Sequence, residues 1–477
     1  MFNFIIFDNN NFSLIKFSTK SCYKICISLL FFLLVFISEI HSQNDSLNMV
    51  KYWNYRKRLE YFVMPGQKQG ESEIVCIRNR MDYGANDLNF GQHSIYFGYY
   101  LGMLATEYKL LYNSNDTIEA LKTKNELNLA LFQFVNYLDR CEHLLFKNSK
   151  DTLDGFFVRN NVPCDFLNDT IHKIYFNKSL SKDNVFDPLS RTFKGLEPGQ
   201  PAWVEKVSEC DTVPEIFSQD EAIGLLLGLA LVYKCLPDNS KEKIISQIIA
   251  GNIISYIRNS SYIYGKTYSL RWNIYKPNGD KLKAAKGGFS FPYAHGFMKA
   301  ASFFDIKNDN LFKKFTRYFQ ELIFQSSQFV PGPSADNNSM ITTLAVIGDS
   351  WRGTIPFFGL IFKINTTRFG ISNKTTLHDW DAFYLLCWRT LHENHKLKLK
   401  YLNKALNQMN KAPFNGPYNY GKGINPIGTG WSASYKFHLK KKIQSGEEDG
   451  ILGNYNGLDY MLYHNLYCLV KGIKLLK

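Results

Sequence analysis

"EIFSQDEAIGLLLGLALVYKCLP", residues 215–237, sets Ser218, Gln219, Asp220 and Glu221 in a row and then turns apolar on every side. A helix that is apolar all round has to be buried all round, whereas a one-sided helix can face water. Here the oily segment is followed by the one-sided 241–257, and the contrast recurs along the chain. Residues 92–112 ("QHSIYFGYYLGMLATEYKLLY") are apolar on most faces, with Gly98 and Gly102 letting neighbours approach, and the amphipathic 124–145 follows. The pairs 293–304 with 310–325 and 379–391 with 397–409 repeat the pattern, and 339–347 and 458–471 complete the helical segments. Few stretches read as strands. An inner helix followed by an outer one, five or six times over, predicts an all-α fold, an (α/α)6-type toroid. The repeat is one of architecture, since no sequence period accompanies it.

Two long polar connections, 148–217 and 260–288, exceed what a compact domain tolerates unless the loops are functional. Within the second, "YSLRWNIYKPNGD" reads as a short β-hairpin turning on Pro277-Asn278-Gly279. These loops are expected to rim one end. Residues 46–83 read as a lead-in with one helix (47–60) and a loop. The expected organisation is therefore a signal peptide over 1–42, a lead-in over 43–91 packed on the toroid, and the toroid itself over 92–477.

The leader reading rests on Lys16, Lys20 and Lys24, the apolar run 25–37, and a small residue, Ser42, at the expected cut. That run is shorter than the roughly 20 residues a spanning helix needs. Cys22 and Cys26 precede it, which argues against a lipid-anchored cysteine at the cut. The expectation is a periplasmic or extracellular protein with no transmembrane helix in the mature chain. Cleavage would take three lysines and two acids away, leaving 53 basic against 40 acidic residues. This excess favours anionic partners, either acidic glycans or a negatively charged envelope surface. No basic–aromatic motif points to nucleic acid. Seven cysteines follow residue 42, none at metal-finger spacing. Cys235, Cys387 and Cys468 fall inside apolar helical stretches as small hydrophobes, while Cys164 and Cys210 could close a loop disulfide.

The alternation, together with "SQDEAIGLLLGLALV", "HDWDAFYLLCW" and "NGLDYMLYHNLY", resembles the six-hairpin glycosidase-like (α/α)6 superfamily found among secreted bacterial proteins. The resemblance spans roughly 92–471 and implies the toroid fold; activity follows from fold by analogy only.

Two readings fit the polar helix mouths. One is capping: Ser218 with Glu221 matches S-x-x-E, and Asp379 and Asn456 precede their helices in the same way. The other is a site. Inner helices of a toroid run parallel, so their N-termini meet at one mouth. Gln92, His93, Ser218, Gln219, Asp220, Glu221, Tyr293, His295, Asn337–Ser339, His378, Asp379, Trp380, Asp381 and Asp459 would gather there. Glycosidic cleavage needs two carboxyl groups, an acid for the leaving oxygen and a base or nucleophile opposite. Asp220 is the leading candidate because the capping box does not require it, with Asp381 preferred over Asp379 as its partner. Trp351, Trp380 and Trp431 adjoin "GDSWRG", "HDWDA" and "GTGWSAS", where an indole face could stack on a sugar. Arg352 and Arg159 could grip a carboxylate or sulfate at two points.

The leading expectation is a glycoside hydrolase acting on oligo- or polysaccharide. Two alternatives stand beside it. A polysaccharide lyase would use His295 or His378 as base, Tyr293 as acid and Arg352 to neutralise a uronate; a glycan-binding envelope protein would do no chemistry. The chain is expected to be monomeric. No elbow, phosphate loop or dinucleotide fingerprint is present, and His392–His395 ("HENH") lacks further ligands for zinc, so neither cofactor nor metal is called for.

Overall fold

The computed structural model describes residues 2–8, 11–17, 44–57, 59, 62–65, 73–75, 77–79, 87–89, 93–139, 152–159, 186–187, 192–193, 216–265, 273–281, 290–306, 324, 335–350, 381–393, 397–412, 433 and 456–475. Among these the fold is dominated by helices, in keeping with an all-α class. The chain divides into two compact units, Met1–Val50 and Lys51–Lys477. The first holds an antiparallel hairpin, β1 (Phe2–Asp8) with β2 (Asn11–Phe17), and the start of helix α1, residues 44–57.

In the second unit the lead-in carries two further short hairpins, β3 (Val63–Pro65) with β4 (Glu73–Val75) and β5 (Ile77–Asn79) with β6 (Asp87–Asn89). These strands stand where the sequence suggested a loop. A minimal pair, β7 (Phe186–Asp187) with β8 (Thr192–Phe193), lies in the first long connection. Around Pro277 the backbone does turn: Gly279 N–H donates to Lys276 O (2.9 Å), Lys276 N–H donates to Asp280 O (2.8 Å), and one bridge joins Tyr275 to Lys281.

Nine helices follow among the described residues: α2 (His93–Asn113), α3 (Thr117–Gln133), α4 (Gln219–Cys235), α5 (Lys241–Gly265), α6 (Ser290–Phe303), α7 (Ala335–Ile347), α8 (Asp381–Leu391), α9 (Leu399–Asn410) and α10 (Leu458–Lys471). The two oily ones, α2 and α4, lie against each other at backbone distance. A Cβ added at Gly98 would sit 2.6 Å from the carbonyl carbon of Gly224, and one at Gly228 would sit 2.7 Å from that of Gly98. Ile95 faces Gly224 while Gly102 faces Leu231, so the two helices run parallel. α10 runs parallel to α2 as well, with Leu462 beside Gly102 and Asn465 donating to Met103 O and Thr106 Oγ1. α7 and α8 share this relation through Ser339–Tyr384 and Val346–His392, and α6 and α7 through Gly296–Leu344 and Lys299–Gly348. Contacts pass from α2 to α4, α4 to α7, α7 to α8, α8 to α10 and back to α2.

α3 and α5 run the other way. On α3, Thr123 reaches Glu107, Glu126 accepts from Tyr100, and Phe134 faces Phe97, an order that descends α2. On α5, Gln247 reaches Phe304 O while Tyr256 meets Phe156 and Phe217 near the start of α4. α1 is bound by a buried network: Tyr52 donates to Glu107, and Arg56 pairs with Glu107 (3.0 Å) and with Glu126. Lys51 is fully buried and spends its ammonium on the end of α9, donating to Met409 O (3.0 Å) and Ala412 O (2.7 Å).

Two boundaries differ from expectation. The helix expected over 124–145 begins instead at Thr117, where Asp116 accepts from Glu119 N–H (3.2 Å), and passes into a wider π turn at Phe134–Leu138. α5 continues to Gly265, eight residues beyond the expected end. The expected helix over 310–325 lies outside the described residues except for Phe324. Cys235, Cys387 and Cys468 are buried. Cys76, Cys141, Cys164 and Cys210 fall outside the described residues.

Candidate functional site

Close contacts define two ends of the inner bundle. At the carboxyl end, Tyr233 donates to Asp305 (2.7 Å), Lys234 pairs with Glu393 (3.4 Å), and Trp388 donates to Asp349 (2.8 Å). His392, the first residue of "HENH", bonds Val346 O there (2.9 Å) and so acts as a helix-end contact. Asn394 and His395 lie outside the described residues. At the amino end, the level of Gly98 on α2 matches Gly224 on α4, and Tyr99 stacks on Phe383 of α8 (5.8 Å). Asp220 is one turn below Gly224 and Asp381 two residues below Phe383. The first turns of α4 and α8 therefore open at the same end.

The capping box expected at α4 does not form. Ser218 is the N-cap residue, yet its side chain makes no cap bond; its hydroxyl donates to Asp220 Oδ1. Glu221 is buried instead (1% exposed) and lies 3.6 Å from Arg159 Nε. The reason is rotational position. Residue 221 shares a face with Leu225 and Gly228, which pack inward, so its carboxylate is carried into the core, where an unpaired charge would be costly. Arg159 meets it there, and the same Nε donates to Ile216 O (3.0 Å). Arg159, considered from sequence as a grip for ligand anions, is committed to a protein carboxylate. Its own carbonyl accepts from His93 Nδ1 (2.7 Å) and Ser94 Oγ (3.3 Å), which fixes the imidazole at the start of α2. His93 and Glu221 are thus joined through Arg159, while Ser218 and Asp220 pair with each other at the start of α4.

Asp220 is part-exposed, while His93 and Gln219 are buried. Tyr293 and His295, in the first turns of α6, are buried too, and His295 packs on Phe324 (5.2 Å). Sequence reasoning missed Tyr384, whose hydroxyl shares a hydrogen bond of 2.7 Å with Ser339 across the starts of α7 and α8. A tyrosine four positions into an apolar helix carries no signal of such a role.

Asp459 opens α10 wholly buried. It accepts from Ala433 N–H and Tyr460 N–H, each at 2.8 Å. Burial outweighs those donors and pushes its carboxyl up to about 7. Just before it, Gly457 adopts φ 74°, and a Cβ there would strike the ring of Tyr55. The N-cap is Gly457 rather than Asn456; the Asn456 side chain, one residue earlier, accepts from Leu458 N–H (3.1 Å).

Asp381 is the first residue of α8; its side chain, and Gln92, Trp351, Arg352, His378, Asp379, Trp380 and Trp431 altogether, lie outside the described residues. Among the described residues no group of three His, Cys, Asp or Glu could hold a metal ion, and no helix is long and apolar enough to cross a membrane. Compared with protein-family models, curated proteins and solved structures, the chain matches none.

Proposed function

We propose that this chain is an exported, carbohydrate-active protein built as an (α/α)6-type toroid, and that it hydrolyses glycosidic bonds at the amino end of its inner helices. The observation that carries this reading is the parallel run of the inner helices, which opens α4 and α8, with Asp220 and Asp381, at the same end. Hydrolysis needs one carboxyl group to protonate the leaving oxygen and a second opposite it. Asp220 suits the first role: it is part-exposed, and Ser218 holds one of its oxygens by a hydrogen bond. Asp381 takes the second, with Trp351, Trp380 and Trp431 offering stacking faces for the sugar.

The second reading is a polysaccharide lyase with His295 or His378 as base, Tyr293 as acid and Arg352 on the uronate; of these, Tyr293 and His295 are buried. The test is direct. Asp220→Asn and Asp381→Asn should each lower release of reducing ends from a glycan panel by at least about 10³-fold with unchanged helix content by circular dichroism. Two variants retaining wild-type turnover would eliminate the carboxylate pair, and an unsaturated product absorbing in the ultraviolet would replace hydrolysis by elimination.

A further inference from the structure

One motif in the chain has no part in the chemistry above. Asn-x-Ser/Thr, with any residue but proline in the middle, is the acceptor signal for N-linked glycosylation of exported proteins. Among the described residues that follow the expected leader it begins at Asn44, Asn115, Asn259 and Asn337. Three residues match by chance, so the fold around each has to decide. Transfer needs the asparagine amide, which is modified, and the hydroxyl two residues on, which the transferase reads. At Asn259 and Asn337 that hydroxyl is spent on the fold. Ser261 is 1% exposed and accepts from Asn273 N–H (3.1 Å), while Asn259 Oδ1 itself accepts from Arg258 Nε (3.3 Å). Ser339 is equally buried and shares its hydrogen bond with Tyr384. Asn44 is half-buried, and its carbonyl accepts from Asn48 Nδ2 (3.0 Å) in the first turn of α1.

Asn115-Asp116-Thr117 differs from all three. It makes the turn from α2 into α3, and both Asn115 and Thr117 are exposed. The backbone holds the turn without help from either side chain. Asn115 N–H donates to Tyr112 O (3.0 Å), Asp116 N–H donates to Leu111 O (3.0 Å), and the Asp116 carboxylate caps α3. Asn115 sits at φ 65°, in the left-handed region that asparagine tolerates better than most residues with a side chain. Among the described residues no hydrogen bond engages the Asn115 amide group or the Thr117 hydroxyl. Both groups therefore stay accessible after folding, and a sugar at Asn115 displaces no hydrogen bond of the fold. We propose that Asn115 is an N-glycosylation site, its co-substrate a preassembled oligosaccharide carried on a lipid pyrophosphate. In the transfer Asn115 Nδ2 bonds to C1 of the first sugar as the C1–O bond to pyrophosphate breaks. The lipid pyrophosphate leaves with that electron pair, one amide proton passes to a base of the transferase, and nothing is oxidised or reduced. This inference rests on the export reading and is independent of the carboxylate pair.

The test expresses the full chain in a eukaryotic secretory host and releases its glycans with peptide N-glycosidase in heavy-oxygen water. That enzyme converts each glycosylated asparagine to an aspartate carrying the heavy isotope, so mass spectrometry should find the label at position 115. Asn115→Gln and Thr117→Ala should each abolish it, whereas Thr117→Ser, which keeps the hydroxyl, should retain it. These variants change exposed side chains that make no hydrogen bond to the fold, so helix content should stay unchanged. The leader separates this inference from the reading beneath it. A chain held in the cytosol with residues 1–42 uncut would overturn the export reading, and the same chain with a proven secretory leader in place of 1–42 then decides the acceptor. An unlabelled Asn115 in secreted chain would overturn the proposal, and so would a label that persists in Thr117→Ala.

Discussion

At Asp459, burial and hydrogen bonding compete over one carboxyl group. Two backbone N–H donors favour the charged form, yet full burial wins and lifts the group to about 7. The exposed value is about 3.9. Between those values the folded chain keeps a proton that the unfolded chain has released, so stability falls as pH rises from about 4 to about 7. The loss from this group is on the order of 4 kcal/mol at its full extent. Urea unfolding across that range should show the decline in wild type, and Asp459→Asn should flatten it; an unchanged slope in the variant would remove this assignment. Lys51 makes a second residue-scale case. Lys51→Met keeps the stem but leaves the carbonyls of Met409 and Ala412 without their donor. The urea midpoint should fall by the equivalent of about 2–3 kcal/mol with an unchanged slope.

Among elements, the contact of α2 with α4 is decided by Gly98, Gly224 and Gly228, because any side chain there meets backbone that cannot rotate away. Gly98→Ala or Gly228→Ala should each cost at least about 2 kcal/mol by thermal or urea unfolding, whereas Gly472→Ala pays only for its positive φ, since a Cβ there meets nothing within 4 Å. A small loss at Gly98 would mean the two helices sit farther apart. Gly98 was readable as a close-approach residue from its place in an oily run. α10 was readable to the residue because glycines with positive φ bracket it, Gly457 and Gly472. α3 was not. A search for one-sided periodicity skips 117–123 because Ile118 and Leu121 are apolar on the side that faces water. The capping box failed for a related reason: S-x-x-E describes local spacing, while the fate of Glu221 was settled by which face of α4 turns inward and by Arg159, distant in the chain.

For the whole molecule, the legible part was the alternation of buried and one-sided helices, which set the class. What one sequence withheld was the pairing across long connections: His93 with the Arg159 carbonyl, Glu221 with Arg159, Ser339 with Tyr384. These contacts link residues 45 to 66 positions apart or bind across elements, and no local pattern encodes them. The account therefore turns on direction. If the inner helices run parallel, residues 220 and 381 open at one end; if α8 were reversed, the 17 residues of α4 would set them apart by about a helix length, roughly 25 Å. Pulsed dipolar spectroscopy between genetically encoded spin labels at positions 220 and 381 reads that separation. A single population centred below about 25 Å is the predicted result, and a distribution centred beyond that distance would contradict the shared end on which the carboxylate pair depends.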